Sequence, residues 1–378
     1  MKKLLPFLAL TFFAACTEKP SSGSSLSETE STNILENLTF SIDTLMVDTG
    51  DDFINFAPIF STSSSPDGHY FYLIDKDLKL QKIDLDAMKI ISSFSFEKDG
   101  PNRLVHSINF QAIGDGYFYF PLSPPYPQIF DANGNKIKRF KMDLDKIVEG
   151  YPIDGRSLII RIIPDPKRGG LYSMPMNNEY NTHFLAVIDS LGGRTNLLEL
   201  SEFKKANKFE IRGKGLKSME QVSIQYFNDL VLISCTVGNA IYVYDLRLDS
   251  LSYREFPHEL VPLEKTGEVK SFVGSKSEFD EEIKKRATKI SYRNFIWDEK
   301  SQRYFRFASR ALSVPIEGEK AEMEIFLCAY SKDLKLIGET RLEGLSNVPR
   351  MPFFKDGKLY SDVNVEDELG FEIFRFNF

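Results

Sequence analysis

The stretch "AIYVYDLRLDSLSYREF", residues 240–256, reads as an apolar strand ending at Asp245, a short turn, and a second strand that alternates apolar and polar residues. The same arrangement returns in "LKLQKIDLDAMKIISSFSF" (78–96), "PQIFDANGNKIKRFKM" (127–142), "FLAVIDSLGGRTNLLEL" (184–200) and "FLCAYSKDLKLIGETRL" (326–342). Each copy follows another apolar strand pair, such as "SINFQAIGDGYFYFPL" or "VSIQYFNDLVLISCTV". Four strands per unit, repeated every 40 to 60 residues or so, is the pattern of β-propeller blades. A paired β-sandwich does not explain five copies of one hairpin.

A further unit, "VPRMPFFKDGKLYSDVNVEDELGFEIFRFNF", stops at Phe378 one strand short, whereas "LENLTFSIDTLMVD" (35–48) alternates well and has no partner of its own. An N-terminal strand that completes the last blade closes the ring and removes an exposed sheet edge. The expectation is an all-β, six-bladed propeller over residues 35–378, with seven blades as the alternative because the third and fifth units are overlong. One helix is expected within it, in "SKSEFDEEIKKRATKI": Ser277 serves as N-cap, acidic residues lead and Lys284, Lys285 and Arg286 trail.

The N-terminus sets an address. Lys2 and Lys3 precede an apolar run too short for a membrane span, and Phe13, Ala14 and Ala15 lead directly into Cys16. This resembles a bacterial lipobox, with Phe13 where an aliphatic residue is usual. The resemblance implies that residues 1–15 are a signal peptide and that Cys16 carries acyl chains such as palmitate. At about 0.8 kcal/mol per buried methylene, more than one chain anchors stably. Residues 16–34, rich in Ser, Thr, Gly and Glu, read as a flexible linker. Together with the repeats, these features resemble uncharacterised six-bladed propeller lipoproteins of the Bacteroidota type. That likeness implies a lipid-anchored monomer in the cell envelope, at the outer membrane, and brings no catalytic motif.

Composition narrows the function classes. The chain has 378 residues, 42% hydrophobic, with 32 Phe and 16 Tyr against one Trp, enough for a large core. Its net charge of −7 becomes −9 once Lys2 and Lys3 leave with the signal, which argues against nucleic acid as a partner. Cys235 and Cys328 sit in apolar strands and are expected to be buried free thiols. No cofactor or metal is expected. In "DANGNK", Asp131, Asn133 and Asn135 have calcium-loop spacing, but Lys136 and Met142 stand where Gly and Glu are required, so an Asn-Gly hairpin turn is the reading. "RGKGLKS" (212–218) lacks the strand and helix context of a phosphate cradle and reads as a solvated loop.

One constellation carries chemistry. Aligning the inner strands on Phe110, Phe227, Trp297 and Phe354 places His106, Ser223, Arg293 and Arg350 four residues earlier, and Arg161 in a similar position. Polar side chains at one end of the inner strands converge on one channel mouth, where arginine's planar fork suits carboxylate or phosphate; the alternative is that these arginines pair with Asp or Glu on neighbouring blades and hold the ring together. Tyr126, Tyr172 and Tyr180, on long insertions, are the further expected contacts. The expected role is binding of an anionic or polar small ligand, or of an envelope protein. A hydrolase or lyase acting on carbohydrate or a small ester is the alternative, and it needs paired carboxylates that sequence does not pair.

Overall fold

The computed structural model describes residues 33–50, 54, 61–105, 109–114, 116–121, 126–151, 153–159, 161–165, 167–177, 182–189, 195–316 and 321–378. The expected signal, Cys16 and most of the expected linker lie outside these residues, and the compact unit runs from Asn33 to Phe378.

Six antiparallel sheets form six blades. Blade 4 shows the plan: the inner strand Val222–Phe227, then Leu230–Cys235, Ile241–Asp245 and the outer strand Ser250–Arg254, each paired with the next. The inner strands of blades 1, 2, 3, 5 and 6 are Ser61–Ser64, Gln111–Ala112, Ile162–Pro164, Ser291–Asp298 and Phe353–Lys355. The five recurring hairpins are the third and outer strands of blades 1–5. In blade 6 the outer strand is Thr39–Met46, antiparallel to Glu368–Asn377 in the register Thr39↔Asn377 to Met46↔Gly370. The ring therefore closes with a strand from the N-terminus.

Why these residues make this shape follows from period-two geometry. In "LVLISC" Leu230 and Leu232 face the blade 4–5 cluster, whereas Val231 and Ile233 face the blade 3–4 cluster. Both faces of the middle strands are buried, which is why those strands are continuously apolar. Six apolar clusters result, one per seam between neighbouring blades. Aspartates at strand ends build the turns: Asp84 accepts from the Asp86 and Ala87 N–H groups, and Asp245 from those of Arg247 and Leu248. In "DANGNK", Asp131 takes the Asn133 and Asn135 N–H groups while Gly134 supplies φ +78°.

The seven-blade alternative fails because the surplus chain folds elsewhere. Residues 201–209 form a 3₁₀ helix, and Ile211–Gly213 pairs with Leu216–Ser218. "RGKGLKS" is thus a small hairpin rather than a loop. The helix Lys276–Ala287 packs beside it, with Arg286 Nη1 donating to Phe209 O at 2.8 Å. Its N-cap is Ser275, whose hydroxyl accepts the Glu278 N–H, and not Ser277. Cys235 and Cys328 are buried free thiols, as expected.

Candidate ligand site at the channel mouth

Each connection between blades leaves an outer strand and enters the next inner strand. With four antiparallel strands per blade, all such connections and all inner-strand starts lie on one face of the ring. Arg161 immediately precedes the blade 3 inner strand, Ser223 is second in that of blade 4 and Arg293 third in that of blade 5. Arg350 stands three residues before that of blade 6. These inner strands neighbour one another in order. Gln225 stitches two of them, donating to Phe295 O and accepting from Phe295 N, both at 2.9 Å.

The arginines are not equivalent. Arg350 Nε lies 3.0 Å from Asp362 Oδ2, and its backbone N–H and C=O both bond the Ser361 hydroxyl. It is therefore an ion-paired, fixed group, as the strut alternative for these arginines has it, although its partner Asp362 belongs to its own blade. Burial holds the Asp362 carboxyl above its usual range even beside Arg350. Arg161 and Arg293, by contrast, make no side-chain hydrogen bond or ion pair among the described residues, and desolvation lowers the pKa of both. Arg293 is exposed, and desolvation by its neighbours nonetheless lowers its pKa.

Beneath Arg293 is a charge that sequence reasoning missed. Arg306 is 0% exposed; its Nε donates to Arg293 O at 2.7 Å and Nη1 to Asn239 O at 2.6 Å, with Nη2 at 3.4 Å from Cys235 O and Gly238 O. Tyr292 and Phe295 lie 4.8 and 4.9 Å from the guanidinium. Its signal was available: in the strand "RYFRFASRA" Arg306 stands between the apolar pairs Tyr304–Phe305 and Phe307–Ala308.

The remaining candidates divide. His106 and Tyr180 lie outside the described residues. Tyr126 is half-buried, packed against the blade 2–3 cluster with the Arg139 guanidinium 5.4 Å from its ring. Tyr172 is corrected to a core residue: it is 1% exposed in the second strand of blade 3, and its hydroxyl donates to Asp165 at 2.6 Å. A second polar cluster, His258, Cys328 and Glu339, has ligand-type atoms within 4.8 Å of one another. Its carboxylate is already saturated: Oε1 accepts from Glu259 N and Leu260 N at 2.6 and 2.7 Å, Oε2 from His258 Nδ1 and Val261 N at 2.8 and 3.2 Å. His258 Nε2 meets the Tyr330 hydroxyl at 3.1 Å. Burial opposes ionisation of Glu339, but the His258 ring and the three N–H donors hold its pKa at about 2. The cluster clamps the blade 4–5 connection onto blade 5.

A crystal structure of a DUF4221 family member from Bacteroides vulgatus superposes with a TM-score of 0.64 at 15% identity, covering 90% of this chain and 98% of that one. The β-propeller domain of Cps50 (Swd1) from Myceliophteria thermophila gives a TM-score of 0.40 at 11% identity, covering 83% of this chain and 82% of that chain. BamB from Moraxella catarrhalis gives a TM-score of 0.33 at 7% identity, covering 83% and 81%. No curated protein matches the sequence. The model of DUF4221, a domain of unknown function, matches residues 31–341, and the chain belongs to that family.

Proposed function

We propose that this chain is a lipid-anchored propeller of the bacterial envelope that binds a carboxylate- or phosphate-bearing ligand at the channel mouth. The observation that carries the reading is the pair Arg161 and Arg293: two cations with no acid partner among the described residues, at one end of neighbouring inner strands, in a chain of net charge −7. A surface that repels anions overall focuses them on such a local positive spot. A desolvated guanidinium without a carboxylate is costly, and an anionic ligand relieves that cost. Arg306 adds its charge from below while staying out of reach of the ligand.

Calorimetry of the full chain against phosphate, acetate and citrate tests the site. Replacing Arg161 and Arg293 together by Gln weakens binding by at least about a hundredfold, since each charge-assisted hydrogen bond contributes about 1.5–3 kcal/mol, while the melting temperature stays unchanged. A double variant that binds as tightly as the wild type rules the site out. The anchor rests on the lipobox resemblance at Cys16. Labelled palmitate enters the wild type in a bacterial host and is lost in Cys16→Ala; equal labelling and equal membrane fractionation of the variant exclude it.

A further inference from the structure

Blade 3 holds a second unsatisfied group beside Arg161. His183 is 4% exposed, its Nδ1 has no hydrogen-bond partner, and neither ring nitrogen bonds a described residue. It lies on the third strand of the blade, Thr182–Ile188, opposite Met176. Strand alternation fixes where it points. His183 shares a face with Leu185, and Arg161 with Ile163; Leu185 and Ile163 both pack into the blade 3–4 cluster, which also contains Cys235 of blade 4. The strand between them ties the two levels together, with Met174 N donating to Arg161 O at 2.9 Å. Arg161 and His183 therefore project into the same seam, at its end on the connection face. Burial first, and the Arg161 charge second, push the His183 pKa down to about 4, so the ring is neutral at pH 7. Cys235 is the titratable neighbour of Arg161 across the seam, and burial pushes its thiol up to about 11, so it adds no anion there.

A buried imidazole and a guanidinium, neither with a side-chain partner among the described residues, form a donor set lacking its acceptor. We propose that the anionic group of the ligand seats at the connection-face end of the blade 3–4 seam, ion-paired with Arg161 and hydrogen-bonded by the neutral His183 ring, and that this group is a compact oxyanion, carboxylate or phosphate. The inference rests on the channel-mouth reading above and places the charged end of the ligand within it. A neutral imidazole donates without adding a second positive charge, which suits one oxyanion on one arginine.

The chain has four histidines, so ring-¹⁵N labelling of the full chain resolves His183 by comparison with His183→Gln. Inorganic phosphate and acetate are titrated in separate arms, and the arm that shifts His183 identifies which oxyanion the seam takes. An anion beside the ring favours the imidazolium, so the His183 pKa rises from about 4 by about one unit on binding. Arg161→Gln abolishes that rise, and His183→Gln weakens binding about tenfold by calorimetry. Should His183→Gln fail to fold, the Arg161 dependence of the wild-type resonance still decides. If neither anion moves His183 while binding remains sensitive to the Arg161 and Arg293 double substitution, the seam assignment is overturned and the channel reading stands. If no anion binds in either arm, both fall.

Discussion

Arg306 shows how much the ring depends on a single side chain. Its guanidinium reaches backbone carbonyls on blade 4 and on its own blade 5, so it spans the seam beneath the mouth. Arg306→Met leaves buried carbonyls of Arg293 and Asn239 without donors and costs about 1–3 kcal/mol each. Arg306→Lys is also destabilising, because one ammonium cannot present the planar fork that meets both blades. Urea unfolding measures both, and an unchanged midpoint for either refutes the strut. Glu339 gives the pH dependence. Its folded pKa of about 2 lies below its ordinary 4.5, so its contribution is fully present above the ordinary value and is lost as pH falls from about 4.5 toward 2. The stability gap between wild type and Glu339→Gln therefore narrows from pH 5 to pH 3, and a gap independent of pH in that range contradicts the clamp. Such residues were hard to read in advance. Arg161 and Arg293 stood out because they mark strand starts, but nothing local to Arg350 announces Asp362 twelve residues on. The His183 pairing depends on which face of a strand meets which neighbouring blade.

At the scale of elements, the turns were legible and the insertions less so. Asp at a strand end followed by a short polar stretch names its own structure, because the carboxylate captures N–H groups two and three residues later. The strand pairs were legible for the same reason: alternation and apolar runs are local. The 3₁₀ helix over residues 201–209 was not, since its apolar residues Phe203, Ala206 and Phe209 are defined by the blade 3–4 cluster they pack against. The cap of the long helix makes a direct comparison. Ser275 accepts the Glu278 N–H, so Ser275→Ala lowers stability by about 1 kcal/mol, whereas Ser277→Ala, inside the helix, changes it little. Because this helix bonds Phe209 O and Ser218 through Arg286 in its last turn, unfolding of the whole helix also loosens the hairpin at 211–218. Hydrogen exchange at those amides reports the coupling.

For the whole molecule the decisive feature is how the ring closes. A six-bladed ring has one seam at which the chain's two ends must meet, and here the N-terminal strand supplies the outer edge of blade 6 through eight paired positions with Glu368–Asn377. The residues just before it do separate work on blade 5. Ile34 N donates to Ile337 O at 3.0 Å, Asn33 exchanges two hydrogen bonds with the Glu339 backbone, and Leu35 is 0% exposed in the blade 5–6 cluster. The segment is therefore a two-part latch that holds the last two blades together. Removing residues 1–32 leaves every described contact in place and keeps the melting temperature. Removing 1–38 deletes the hold on blade 5 along with buried Leu35, whose loss alone costs about 2–5 kcal/mol. Removing 1–48 also strips the outer strand of blade 6 and bares the edge of Glu368–Asn377 for pairing with other chains, so this truncation melts lowest and aggregates. Differential scanning calorimetry of the three truncations orders them; equal melting temperatures, or a loss already complete at residue 32, are incompatible with closure by this latch.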